Sequence, residues 1–405
     1  MPGVTLANRA AHANTAARLM QQRQCLQAEW LTPLTALQQI EYRLDGHLRL
    51  LAEAAPSPPD AAPGAIDASL AVFCAWLLAG GTPADVIPGW VAEGQTLAPT
   101  CTALALAASD SQLNDLFDAL PTTALGGAPD LLNLGVARRL ALPATLTETL
   151  EDAAPSPSPV PVGLWRWAAR TPGLEPALFT DALSRLTIND PEYSSELEGA
   201  LMRVAAGARD QLLALAGTEQ TTANSSVLRL MVLALADAAE PLLRRALPHA
   251  PRQVLPLLPL VGTPWARDTL IEALHCPEQA KAASAAWQLL TGRTPPSRPR
   301  LKALDGDTES DDHAPDADAA AEAMRRLPTG PVLLGWSVGA PDHLTRTAAN
   351  WGGRGSELLL DAIAIAHRQP VLPSATATVQ RRVSALRQVL ADADQQREAI
   401  NALPA

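Results

Sequence analysis

Phenylalanine and tyrosine are nearly missing from this chain: 405 residues hold three Phe and two Tyr, and aromatics of every kind make up 3%. Strands fill their pleated faces with aromatic and β-branched side chains, so the scarcity argues against a sandwich or barrel. Cysteine is just as sparse. Cys25, Cys74, Cys101 and Cys276 stand far apart, without the C-x-x-C or Cys/His spacing of a zinc site, and read as small apolar residues in a reducing compartment. Basic charge is short as well: 31 Lys and Arg against 42 Asp and Glu give a net charge of −11. Phosphate neutralisation needs a concentrated excess of the opposite sign, so a nucleic-acid partner is excluded and a basic protein surface suits better. Long apolar runs are absent too. Val227 to Ala236 and Val254 to Val261 fall well short of the ~20 residues that cross a bilayer, and the first thirty residues never reach the apolar core of a signal peptide. The expectation is a cytoplasmic chain with no membrane partner.

What is present is Leu and Ala, which dominate an apolar share of 47% and are strong helix formers. The 36 prolines would break long helices but fit first-turn and inter-helix positions of short ones. Three stretches are too proline-rich or too acidic to pack and read as linkers: Ala55 to Pro63, Pro155 to Pro161, and about Arg293 to Asp318. They divide the chain into an N-terminal helical hairpin (1–54), a helical array (66–292), the acidic linker (293–318) and a small C-terminal helical cap (319–405). In the hairpin, helices are expected over Leu6 to Glu29 and Leu34 to Ala54, the second with apolar residues at Leu34, Leu37, Ile40, Leu44, Leu48 and Leu51.

Within the array a phrase repeats: an Ala/Leu-rich helix, a short break, and a second helix closing in Leu. The closing residues are Leu120, Leu150, Leu183, Leu215, Leu247 and Leu274. Four residues earlier stand Leu116, Leu146, Phe179, Gln211, Leu243 and Leu270, and all but Gln211 place an apolar side chain one turn back on the same face. A single hairpin cannot cover both its apolar faces, so the pattern predicts an all-α, HEAT-like α-solenoid of stacked helical hairpins.

Motifs that could carry chemistry fit their context poorly. Gly335-Trp336-Ser337-Val338-Gly339 is a formal G-x-S-x-G with Asp342, His343 and His367 nearby. A nucleophile elbow needs a preceding parallel sheet and a helix starting at the serine, and neither is expected here. Asp305, Asp307, Glu309, Asp311 and Asp312 alternate like part of a calcium loop, but Ser310 sits where the sharp turn needs glycine and Asp316 offers a short closing arm. The seven histidines form no HxxxH or HxxE pair, and Gly126-Gly127 and Gly352-Gly353 lack the lysine of a phosphate loop. No catalytic residue, cofactor or metal is assigned. Trp165 and Trp167 flank Arg166; side chains two apart on a helix do not share a face, so at least one is a candidate exposed anchor for a protein partner.

Three further stretches carry a likeness. Leu37, Ile40, Glu41, Arg43, Leu44, His47 and Leu48 follow an L-x-x-L-D-x-R-L-x-x-H-L pattern in which Ile40 and Glu41 are conservative departures. Ala282 to Gly292, AASAAWQLLTG, ends in an aromatic-x-x-(I/L)-T-G phrase, and Leu333-Leu334-Gly335 opens an L-L-G-x-x-V turn followed by His343-Leu344 and an Ala/Leu-rich helix from Leu358 to Ala366. In these the chain resembles a family of uncharacterised bacterial HEAT-repeat-like proteins encoded in gene clusters associated with type VI secretion. It lacks the paired Trp that the family carries before the third stretch, since Asp318 to Arg326 contains none. The resemblance implies that Ser337 occupies a structural turn. It also implies a non-enzymatic scaffold or adaptor that binds a secretion component or effector. An immunity protein capping a basic toxin is the alternative, and a homo-oligomer joined by its exposed ends is a further expectation.

Overall fold

The computed structural model describes residues 6–54, 56–121, 124–125, 128–138, 140–153, 163–171, 174, 178–179, 225–299, 313–367 and 377–401. It is mostly helical, 71% helix and 4% strand, which establishes the all-α class. Its contacts divide the chain into two units: Met1–Val204 with Ala349–Leu360 and Gln369–Ala405, and Ala205–Ala348 with Asp361–Arg368. The division differs from the expected one, because much of the C-terminal region belongs with the N-terminal hairpin.

In the first unit, α1 (Leu6–Ala28) and α2 (Leu34–Ala52) form the expected hairpin, and α2 buries Leu34, Leu37, Leu44, Leu48 and Leu51. The chain returns to this hairpin late. Strand β1 (Thr32–Pro33) pairs antiparallel with the strand Trp351–Gly352, and the N–H groups of Arg354 and Gly355 donate to the carbonyls of Glu29 and Trp30 at 2.8 and 2.7 Å. Gly353 is required there. Its φ is +83°, and a Cβ would lie 2.6 Å from the Glu29 carbonyl oxygen.

The C-terminal helix Val379–Asn401 is held by charge. Arg23, 5% exposed, donates to Glu41 at 2.8 Å and to the Ala377 carbonyl at 3.3 Å, while the second oxygen of Glu41 accepts the Val379 N–H at 2.8 Å. An anion at that helix start meets both an unsatisfied donor and the positive end of the dipole. Arg382, 1% exposed, donates to the Trp351 carbonyl at 2.8 Å; burial pulls its pKa down to about 10, with Glu357 and Glu41 opposing that fall, so it stays charged at neutral pH.

Between these ends the short helices start and stop as their local sequence dictates. Asp67 caps α3 (Ala68–Leu78), accepting from the N–H groups of Ser69 and Leu70. After α4 (Ile87–Ala92) and α5 (Ala98–Ala107), Ser109 and Gln112 form a reciprocal capping box on α6 (Asp110–Ala119). The same Gln112 donates back to the carbonyls of Leu77 and Gly81, at 3.1 and 2.6 Å. Arg138, the last residue of α7 (Pro129–Arg138) and 3% exposed, closes the end of α5 by donating to the carbonyls of Leu104, Ala105 and Ala108. It also pairs with Asp110 at 2.9 Å, and Arg381 reaches the same carboxylate at 3.1 Å. Burial alone would raise the pKa of Asp110, but these two guanidinium groups outweigh it and hold the group below the usual carboxylate range. α8 (Ala144–Ala153) and α9 (Leu164–Arg170) follow.

The second unit runs through α10 (Ser225–Leu235), α11 (Glu240–Ala246), α12 (Pro251–Val254), α13 (Leu258–Val261), α14 (Pro264–His275) and α15 (Pro277–Thr291). Proline opens α12, α14 and α15 at their first position, where no N–H is missed. Gly262 and Gly292, both with positive φ, close α13 and α15.

The apolar stripe lies where the sequence puts it: Leu116, Leu146, Phe179, Leu243 and Leu270 are buried, as are the closing residues Leu120, Leu150 and Leu274. Leu247 is half-buried, and Leu183, Gln211 and Leu215 lie outside the described residues. Two linker expectations are corrected. Pro56 and Pro63 are buried, and the Ala62 N–H donates to Gln95 at 2.7 Å, so that stretch packs. The ends of the acidic stretch form a ladder, β2 (Ser297–Pro299) against β3 (His313–Pro315), and Asp316 caps α16 (Ala317–Met324). Residues 155–161 and 300–312 lie outside the described residues.

Removing Glu41 takes away both the ionic partner of the buried Arg23 and the acceptor of the Val379 N–H. Glu41→Ala should therefore cost about 3–5 kcal/mol in urea unfolding, whereas Glu41→Gln, which keeps an acceptor for the Val379 N–H, should cost less.

Candidate functional site

Both tryptophans of the proposed anchor are inside the protein. Trp165 and Trp167 are each 1% exposed, and Arg166 between them is half-buried. The two indoles do point to different faces of α9, as their spacing requires, but both faces are covered. Trp167 donates its indole N–H to the Leu140 carbonyl at 2.9 Å and packs on Phe117 at 4.7 Å between ring centres. Its slot exists because residue 135 is glycine: a Cβ there would lie 2.5 Å from the indole ring. Trp165 meets Phe179 edge-on at 6.0 Å. Exposure at this position is thus corrected to core packing, and large apolar rings in a chain with few of them go where they bury most area.

The G-x-S-x-G segment is a hairpin. Strands β4 (Val332–Leu333) and β5 (Trp336–Ser337) pair antiparallel through a two-residue turn at Leu334 and Gly335, whose φ values are +53° and +82°. Two central residues with positive φ match the twist of a tight hairpin and exclude a strand-to-helix elbow. The turn amides have partners elsewhere: Leu334 and Gly335 donate to the carbonyls of Leu289 and Leu290 in the last turn of α15, both at 2.7 Å. The AASAAWQLLTG and L-L-G stretches, some forty residues apart, are therefore joined by hydrogen bonds. The Ser337 hydroxyl accepts the Gly339 N–H at 3.3 Å.

The three candidate partners of Ser337 are occupied differently. His343, at the start of α17 (Pro341–Ala348), stacks on Trp336 with ring centres 4.7 Å apart and planes 10° from parallel. His367, which follows the helix Ser356–Ala366, meets the hydroxyl of Thr345 at 3.1 Å, and Asp342 lies 3.9 Å from the same ring nitrogen. Thr345 itself donates to the Pro341 carbonyl, so its oxygen is free to accept from the imidazole. This cluster fastens α17.

What the stack does produce is an exposed aromatic on a fixed support. Trp336 is 42% exposed, while Val332, Leu333 and Leu334 of its hairpin are buried at 0, 0 and 5%. A ring stacked on His343 and still 42% exposed is suited to anchor another protein's apolar side chain or guanidinium. Sequence reasoning passed over Trp336 as the variable residue of a serine motif.

Histidine also holds a pairing that the sequence hides. His12 and His47, thirty-five residues apart, bring their Nδ1 atoms to 2.9 Å where α1 meets α2. One ring must donate and the other accept, which works only while at least one is neutral. Burial, then the charges of His12 and Arg43, lower the pKa of His47. Among the described residues no group of three or more His, Cys, Asp or Glu could hold a metal, and no single helix is long and apolar enough to cross a membrane. The calcium-like run and Gly126-Gly127 lie outside the described residues.

No family model, no curated protein and no solved structure matches the chain.

Three outcomes follow from this geometry. Trp167→Ala should lower the unfolding free energy by about 3–5 kcal/mol, as deletion of a core aromatic does. Ser337 should not label with a fluorophosphonate probe, read by intact-mass spectrometry against Ser337→Ala. Because the pKa of His47 is depressed, its contribution to stability is full above the ordinary histidine value of 6.5 and is lost as pH falls through the lowered one. Thermal midpoints followed from neutral to mildly acidic pH should drop in the wild type and flatten in His47→Gln.

Proposed function

We propose that this chain is a protein-binding scaffold or adaptor without enzymatic chemistry, associated with a bacterial type VI secretion apparatus, whose partner is a secretion component or an effector. The observation that carries the binding half of this reading is Trp336. Among the described residues of the second unit it is the large aromatic most open to solvent, and it is held by the His343 stack and, through its turn, by the α15 carbonyls. Exposed tryptophan on a rigid support fits an interface hot spot, because little side-chain freedom remains to be lost on binding. The HEAT-like arrangement of stacked hairpins belongs to the same proposal: the regularly placed, buried Leu stripe supports it, and a curved array would offer shallow contacts around the aromatic. The secretion context rests on the three stretches described above. An acidic surface suits a basic partner, given the net charge of −11.

The test is an affinity recovery of the tagged chain from its native host, with Trp336→Ala as the control. A stoichiometric secretion component or effector, weakened at least tenfold by Trp336→Ala with helicity unchanged by circular dichroism, is the expected result. A toxin recovered instead, whose growth inhibition the chain relieves, would replace the adaptor with an immunity protein. Recovery indifferent to Trp336 would remove the hairpin from the interface.

A further inference from the structure

We propose that α2 is the contact between two copies of this chain, crossing antiparallel at Gly46. The starting point is a residue that the fold of one copy does not explain. Gly46 lies well inside the helix Leu34–Ala52, where glycine is among the least favourable of ordinary residues. It does not have the positive φ that would demand glycine, and a Cβ built on it meets nothing within 4 Å. Alanine would fit and would strengthen the helix. A missing side chain in open space on a helix surface is what close approach of a second backbone needs.

The neighbours of Gly46 on that face point the same way. One turn before it stands Tyr42, 81% exposed, and one turn after it Leu50, 37% exposed; both are large apolar side chains directed away from the buried Leu44, Leu48 and Leu51. The pattern Tyr42, Gly46, Leu50 is symmetric about the glycine. An antiparallel two-fold crossing at Gly46 therefore sets Tyr42 of each copy opposite Leu50 of the other, with the large ring reaching across the hollow that the glycine leaves, as an isologous contact requires.

Charge selects a second copy over an unrelated helix. Asp45 and Arg49 form an exposed pair at 2.7 Å along one flank of the stripe. The two-fold operation keeps each residue on its own flank while reversing its direction. The pairs of the two copies then lie head to tail, each Arg49 beside the other copy's Asp45, in a closed ring of alternating sign. A partner without the same acid and base in the same order would leave this flank unmatched.

The experiment is sedimentation equilibrium on the full chain across a dilution series, with three variants. A dimer that dissociates on dilution is expected for the wild type. Gly46→Leu should weaken it at least tenfold while leaving the thermal midpoint unchanged or higher, because the substitution obstructs the crossing but improves the helix. Arg49→Asp should also weaken it at least tenfold, and adding Asp45→Arg should restore it, since the ring is rebuilt with its signs exchanged. A chain that is monomeric at every concentration, or a dimer that keeps its dissociation constant in Gly46→Leu, would overturn the proposal. So would a charge reversal that the second substitution fails to rescue.

Discussion

The first unit depends on a charge that has been taken out of water. Arg23, on α1, is nearly solvent-free, and its guanidinium is met there by Glu41, Gln27 and the Ala377 carbonyl. Glu41 is in turn satisfied by the first amide of a helix that begins more than three hundred residues later. Apolar packing is tolerant of small displacements, whereas a buried ion pair with directed hydrogen bonds is not. The Arg23–Glu41 pair therefore fixes the register in which the C-terminal helix docks on the N-terminal hairpin, and Arg382 repeats the device one turn further along. This explains why the chain divides into units that are not contiguous in sequence.

That division was the part of the fold least legible beforehand. Helix identity, approximate boundaries and the buried stripe could be read because they are local: α2 was expected over Leu34 to Ala54 and ends at Ala52, and the residues four before each closing Leu are buried wherever they are described. The arginines that join distant elements carry no such signal. Arg381-Arg382 reads as a solvated basic face, and nothing in a Leu/Ala helix marks which of two neighbouring arginines turns inward. Glu41 is a partial exception, since it falls in a patterned stretch, where it replaces one acid with another.

The candidate site was misread for a related reason. Periodicity separates Trp165 from Trp167 correctly but says nothing about whether both faces of a helix are covered, and Gly135, which makes room for one of them, is thirty residues away. In the opposite direction, Trp336 was hidden behind a serine motif whose meaning changes once Leu334 and Gly335 are seen to have positive φ. A five-residue pattern can be written by two backbones, and only the dihedral angles distinguish the elbow from the hairpin. The His12–His47 contact is invisible to any search for ligands spaced along one helix, because it depends on how two helices pair.

Arg138 sets a limit on how this molecule could have grown or could be trimmed. One guanidinium ends its own helix and also satisfies three carbonyls at the end of a helix that finished thirty residues earlier. Excising the intervening phrase in register would conserve every apolar stripe yet leave a buried cation facing the wrong carbonyls. The joint between α5 and α7 is in this sense addressed, keyed to one predecessor by polar chemistry.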